Sequence, residues 1–408
     1  MRREAGERRM TGSSSSDREN DGSKQDWLDS RLPVRRFLTT QFRSFPMPRS
    51  ASMLWTVGAM LSAVLVLMLL SGLVLAMNYT PTVAGAFASI EAIERRVPSG
   101  WLLRSMHMAG ASLFLGALYL HLFRGLYYGS YKKPRELVWL LGLLLLVMTM
   151  ITAFAGYVLP WGQMSYWGAD IAGKALASIP VIGPFTERVF LDGSQPGDGT
   201  LHHLFVLHFT LAFAIVAVVG LHVAGVHVAG SGNPSGVEPD RKGSLPFSPY
   251  FAIKDAFGVA VFAIVLTAVM FLFPDLVTES ANYRPANPLH TPTNIEPEWY
   301  FLPFFGMLQA IPFKFGGLVA SVGAVVVLFL VPWLDTSPVR SARQRPLIRL
   351  SMILLVAAFV ALGLAGQHHM EGGWLIIGRC ATVFYFFHFL VVLPFVSRRE
   401  RAVVGDAS

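Results

Sequence analysis

The 408-residue chain holds a single cysteine, Cys380, which excludes an internal disulfide framework and any all-cysteine metal site. Charge is also scarce. Charged side chains make up 14% of the residues, whereas a soluble domain carries roughly 25%. That is too few to clothe a water-facing surface of this size. The basic residues behind the net charge of +8 form no single patch but cluster between apolar runs, which argues against a nucleic-acid partner. No apolar stretch stands where a signal peptide would place one, so residues 1–50 read as a retained polar tail with a Ser13 to Ser16 run.

Hydrophobic residues, in contrast, reach 53%. Apolar runs of about the 20 residues needed to span hydrocarbon recur near 51–77, 105–127, 137–159, 203–229, 252–274, 317–335, 347–366 and 374–396. The expected fold is therefore an all-α, polytopic membrane bundle of eight transmembrane helices. Between Asp26 and Phe42, apolar Trp27, Leu28, Leu32, Val34, Phe37 and Leu38 alternate with Arg31, Arg35 and Arg36. This pattern suits a basic amphipathic helix lying on the membrane surface, with a disordered tail as the alternative. Residues 160–200 and 275–316 are long connections on one side, the second with five prolines from Pro285 to Pro303. Both are long enough to cap a site.

Of the 33 Lys and Arg, 11 lie in the tail and 14 at the C-terminus and the connections on its side of the membrane. Seven lie opposite and Arg379 within the last span. The positive-inside rule makes the basic face, with both termini, cytoplasmic; it is called the inner side below.

Histidines carry the chemistry. His107 and His121 on the second span are 14 residues apart, and His208 and His222 on the fourth repeat that spacing. Fourteen residues turn a helix through about 1,400°, within about 40° of whole turns, and advance it about 21 Å. The two spans run in the same direction, so His107 shares the outer depth with His208 and His121 the inner depth with His222. One intramembrane imidazole is readily a packed, hydrogen-bonded residue, but two matched couples imply function. Neutral imidazoles from opposite sides suit bis-histidine haem iron with no open position; zinc would want three or four ligands around one point. Gly58 and Gly72 on the first span and Gly142 and Gly156 on the third repeat the spacing at the same depths. Missing side chains there would let a flat macrocycle press on the backbone, or would simply let helices pack closely. Arg104 and Arg124 each stand three residues from a paired histidine, able to neutralise a haem propionate or to snorkel to headgroups.

At this point the chain resembles cytochrome b of the quinol:cytochrome c oxidoreductase (bc) complexes, from about Trp55 to Phe395. The motifs are His107-Met-Ala-Gly-Ala-Ser, Arg124-Gly-Leu-Tyr-Tyr-Gly-Ser-Tyr131, Gly156-Tyr-Val-Leu-Pro-Trp-Gly-Gln-Met-Ser-Tyr-Trp-Gly168, Gly230-Ser-Gly-Asn-Pro234 and Pro297-Glu-Trp-Tyr300. The resemblance implies two b-type haems, a low-potential outer one at His107/His208 and a high-potential inner one at His121/His222. It also implies quinone sites on opposite faces. In the outer site Glu298, beside Trp299 and Tyr300, would take a proton from quinol. The stretch Gly162 to Gly168 would form its other wall, with Pro297 and Tyr157 close by. A capping or headgroup-facing carboxylate is the plainer reading of Glu298. In the inner site His227, Ser231, Lys254 and Asp255 would deliver protons and hold charge; a plain ion pair is the alternative for the last two.

Four segments result: 1–50, tail and surface helix; 51–230, di-haem four-helix bundle; 231–316, inner loop, fifth span and outer quinol-site segment; 317–408, the last three spans and tail. The chain departs from the family pattern at Gln309, where a basic residue is usual, in the tail before Asp26, and at His368-His369-Met370. The single chain of eight spans is similar to the respiratory form of the family. The resemblance implies a Rieske-type iron–sulfur protein, a c-type cytochrome and a homodimer within a larger complex in a bacterial-type inner membrane. Two other classes explain part of the pattern. A haem-binding quinone-reactive anchor of a dehydrogenase or hydrogenase accounts for the four histidines but not for two opposed site motifs. A histidine-relay transporter accounts for neither the paired depths nor the matched glycines.

Overall fold

The computed structural model describes Trp27, residues 30–237 and residues 243–406. The Ser13 to Ser16 run and all of the tail before Trp27 lie outside the described residues. Among the described residues, eight helices are long and apolar enough to cross a membrane. Helices dominate because a spanning backbone must satisfy its own hydrogen bonds where no water is present.

The chain begins with α1 (Val34–Leu38) and β1 (Pro46–Pro48), then spans with α2 (Val57–Ala76). Outer α3 (Ala86–Arg96) leads into α4 (Gly100–Tyr127), which returns, and α5 (Glu136–Val158) crosses again. The connection at 160–200 folds into α6 (Gln163–Ala177) and α7 (Gly183–Leu191) before α8 (Asp198–Ala229) recrosses. On the inner side β2 (Ser244–Pro246) pairs antiparallel with β1, Met47 opposite Leu245. The second half holds α9 (Tyr250–Leu272), α10 (Leu302–Ala310), α11 (Lys314–Leu334), α12 (Pro346–Gln367) and α13 (Gly373–Phe387), the last continuing through a π turn into α14 (Leu393–Asp406).

In the first half, α2 packs along α4 and α5 along α8, while α4 touches α5 only lightly. The first four spans are thus two tight pairs facing each other. One continuous core joins Leu115, Tyr119, Trp139 and Leu143 of this half to Met307, Leu328, Leu355 and Tyr385 of the other. Trp139 Nε1 reaches across to donate to the Leu328 carbonyl at 2.9 Å.

On the inner side a buried ion cluster ties four segments together. Asp335, just past α11, accepts from Arg345 Nη1 at 2.7 Å and Nη2 at 3.0 Å and from Tyr131 Oη at 2.6 Å. Lys132 Nζ lies 3.0 Å from the same carboxylate, and Arg345 Nε donates to Glu400 at 2.7 Å.

Over the surface helix expected at 26–42, Trp27 is helical, a turn at Ser30–Leu32 and Pro33 interrupts, and the chain is helical again over Val34–Leu38 before a π turn at Thr39–Arg43. The proline ring clashes with the preceding turn and has no N–H to continue it; Asp26 and Leu28 lie outside the described residues.

Candidate functional site

The two histidine couples form as the spacing predicts. The rings of His107 and His208 lie 6.2 Å apart between centroids, and those of His121 and His222 lie 6.5 Å apart. Two imidazole–metal bonds of about 2 Å plus two ring radii also come to about 6.5 Å, so each couple fits one metal held between two imidazoles. The outer rings have fixed tautomers. His208 Nδ1 donates to the Thr152 carbonyl at 2.8 Å. The Ser71 hydroxyl donates to the Leu67 carbonyl at 2.7 Å, so His107 Nδ1 donates to Ser71 Oγ at 2.9 Å. Both arrangements leave Nε2 as the free ligand nitrogen, the usual way an outer partner orients a metal-binding histidine. The Nδ1 atoms of His121 and His222 are buried without a partner in hydrogen-bond geometry; the Val138 carbonyl, 14 residues before Thr152, lies toward His222.

The four matched glycines face these rings, which refines their expected role. A Cβ on Gly72 would lie 3.0 Å from His107 Cε1, and one on Gly156 would lie 2.6 Å from His208 Cε1. For Gly142 and His222 the distance is 3.2 Å, and for Gly58 and His121 it is 3.6 Å. The space serves the imidazole first, letting each ring lie flat against the neighbouring helix.

Arg124 is buried: its Nε has no partner, and its guanidinium lies 5.0 Å from the Trp55 ring centre. Arg104 differs. It is ion-paired with Glu94 on α3 and its guanidinium lies 5.6 Å from the centre of the Tyr283 ring. A turn between α3 and α4 makes that pairing possible, a contact invisible to helical spacing.

On the outer side a cavity of about 270 Å³ runs from His107 and His208 past Gly72 and Gly156 to Tyr157 and Glu298. The outer connections meet as expected around it. Gln163 N donates to the Arg284 carbonyl at 3.0 Å, and Asn282 Oδ1 accepts from both Ser165 N and Oγ at 3.0 Å. A Cβ on Gly168 would meet nothing within 4 Å, so this glycine opens space in that wall. The segment Pro297 to Tyr300 is moored to α4. Trp299 Nε1 donates to Ser112 Oγ at 2.7 Å, and Tyr119 Oη donates to the Tyr300 carbonyl at 2.6 Å. Ser112 and Tyr119 had no assigned role in the sequence; both lie on the helix that carries His107 and His121. Burial, with Glu279 and Glu296 adding repulsion, pushes the Glu298 carboxyl up to about 7. Such a group can exchange a proton near neutral pH.

On the inner side the structure gathers His227 with the N-terminal segment. Its Nδ1 lies 2.6 Å from Gln41 Oε1 and its ring stacks on Phe45 at 4.3 Å. Ser231, Lys254 and Asp255 make no hydrogen bond to His227. Lys254 Nζ instead donates to the Ala51 carbonyl at 2.8 Å, and no ion pair joins it to Asp255. Gln41 and Phe45 were missed by motif reading because the β1–β2 pairing that delivers them is non-local.

Comparison with known proteins agrees across nearly the whole length. Residues 42–230 match the family described as "Cytochrome b/b6/petB" and residues 285–386 match "Cytochrome b(C-terminal)/b6/petD". The chain is 46% identical over 377 residues to "Cytochrome b" of Rickettsia bellii (strain RML369-C), covering 92% of this chain and 94% of that one. It is 45% identical over 375 residues to "Cytochrome b/c1" of Bradyrhizobium diazoefficiens, covering 92% of this chain and 55% of that longer protein. A solved chain titled "Hyperthermophilic respiratory Complex III" superposes with a TM-score of 0.86 at 34% identity, covering 92% of this chain and 99% of its own.

Proposed function

The chain belongs to the cytochrome b family of bc complexes, and from that premise we propose that it oxidises quinol at an outer site and reduces quinone at an inner one. It is a multi-pass membrane cytochrome b of the respiratory complex III type, with an oxidoreductase role and haem b as its family's cofactor. The observation that carries the finer reading is the pair of facing imidazole couples, the outer one opening into the same cavity as Glu298.

In this reading His107 and His208 hold one haem and His121 and His222 the other. When bound, each haem supplies a one-electron redox centre. The protein does the rest. Ser71 and Thr152 keep Nε2 of the outer rings unprotonated for ligation. The buried Arg124 guanidinium offers its unpartnered Nε to a propionate. Glu298 takes a proton from quinol in the outer cavity, while Tyr157, Trp299 and Tyr300 shape the walls around it. On the inner face His227 and Asp255 hand protons to reduced quinone, and Lys254 and Ser231 hold the developing charge. Opposed sites release protons outside and take them up inside. Residues 51–230 form the haem bundle, 231–316 the connection with the outer segment, and 317–408 the closing spans, with both termini cytoplasmic in a bacterial-type inner membrane. A Rieske-type iron–sulfur protein and a c-type cytochrome take the electrons onward in a dimeric complex.

A pyridine haemochrome assay with redox titration tests the reading: two b-type haems of separate potential are expected, and one or none would overturn it. For the outer site, Glu298 must be ionised to accept a proton. Quinol oxidation should therefore rise with pH through about 7, and Glu298→Gln should lower kcat by about a hundredfold and flatten that limb. An unchanged pH profile in Glu298→Gln would remove this carboxylate from the chemistry.

The glycines give a graded test. Gly156→Ala places a methyl 2.6 Å from His208 Cε1, closer than a Cβ can lie, so the ring must turn off its Thr152 bond. Gly58→Ala makes an ordinary 3.6 Å contact with His121. The outer haem potential should shift in the first variant and neither potential should move in the second; equal behaviour would show that the glycines only pack helices.

A further inference from the structure

We propose that Glu296 and His369 form the exit route along which the proton taken by Glu298 reaches the outer solvent. This rests on the outer-site reading above and extends it outward. Glu298 can serve a second turnover only after losing its proton, and it lines the outer cavity, half-buried. Two residues along the chain, Glu296 has a buried Oε2 with no hydrogen-bond partner. A carboxylate oxygen buried without a donor is costly, and a proton on that oxygen relieves the cost. Its other oxygen is held, since Asn294 Nδ2 donates to Oε1 at 3.4 Å. The same Asn294 side chain accepts, through Oδ1, the Nε2 proton of His369. Asn294 therefore fixes a carboxylate and an imidazole side by side, and His369 Nδ1 remains as a free base.

Charge favours outward movement. The groups acting on Glu296 are His369 and His368, of opposite sign when protonated, and Glu279, of like sign. Glu298 and Tyr157 also lie within reach of its charge. His368, next along, is exposed and stacks on Trp374 at 4.5 Å and 14°. The path thus runs from Glu298 through Glu296 and His369, all three half-buried, to exposed His368. In the transfer the O–H bond on Glu298 breaks as its proton passes to an intervening water, and a proton of that water forms the new O–H bond on Glu296 Oε2. That proton then passes through water to His369 Nδ1 and on to solvent, with no electron moving. The departure at His368-His369-Met370 acquires a purpose in this scheme, since it sets one imidazole against Asn294 and a second beside it in solvent.

The test uses the full complex, a short-chain quinol and steady-state cytochrome c reduction across a pH series. Glu296→Gln should lower kcat by about tenfold with KM for quinol and haem content unchanged, and Glu296→Asp should restore most of it. His369→Gln should lower kcat by about threefold across the pH series, with haem content unchanged. Wild-type kcat and pH profile in Glu296→Gln overturn the relay. If that variant loses haem, His369→Gln decides alone, and a wild-type profile there overturns it equally. Loss of activity in Glu298→Gln with none in Glu296→Gln sinks the relay and spares the outer site; no loss in Glu298→Gln sinks the site itself.

Discussion

On the two-haem reading, His222→Ala should yield a folded protein with half the haem and a single redox wave. The expectation follows from how independent the two couples are. His208 and His222 are separated by about 21 Å of helix, and each ring is backed by its own glycine, Gly156 for one and Gly142 for the other. Removing the His222 imidazole leaves His121 as a lone ligand, whereas the outer couple keeps its Ser71 and Thr152 bonds. His107→Ala should give the complementary result, keeping the wave that His222→Ala loses. The measurement is haem per polypeptide by pyridine haemochrome, with a redox titration of each variant and circular dichroism to show that the helices remain. If both variants keep the same wave, or either sheds both haems while still helical, the pairing by depth is wrong.

Breaking the inner ion cluster should have the largest effect on stability. Asp335 and Arg345 are almost completely inaccessible, their side chains 0% and 1% exposed. Burial pushes the Asp335 carboxyl up, but the Arg345 hydrogen bonds and the Lys132 charge outweigh it and hold the group below the ordinary range. Arg345→Met strips those bonds and leaves a buried carboxylate facing Lys132 and Tyr131. Removing one partner of such a pair costs about 3–5 kcal/mol, so a large fall in melting temperature in detergent is expected. Asp335→Leu combined with Arg345→Met should cost less than the two single changes added, because neither charge is then stranded. The sign with pH follows from the lowered carboxyl: the stabilisation is present above the usual carboxylate range and lost as pH falls through the lowered value. Single variants within about 0.5 kcal/mol of the parent would show that the cluster is dispensable.

The spans were legible because lipid demands long apolar helices, and the histidine couples because helical geometry converts a spacing of 14 into a shared face. Expected and observed spans differ mainly at the ends, as at α8, which starts at Asp198 rather than 203. What spacing could not reveal were contacts made through turns and distant pairings. Arg104 meets Glu94 through the bend between α3 and α4, and Gln41 meets His227 because β1 pairs with β2 from 198 residues away at Met47 and Leu245. Asp335 and Arg345 look like ordinary loop charges until Tyr131 and Lys132 from the first half close over them. The break in the surface helix had a signal in Pro33, which the alternation of apolar and basic residues obscured.

The slight contact between α4 and α5, set against the close embrace of α2 with α4 and of α5 with α8, bears on biogenesis. The seam between the pairs can therefore open while each hairpin-like pair stays intact, much as a binder opens without losing its pages. Once Trp299 and Tyr300 are fastened to Ser112 and Tyr119, the outer end of the seam is closed over.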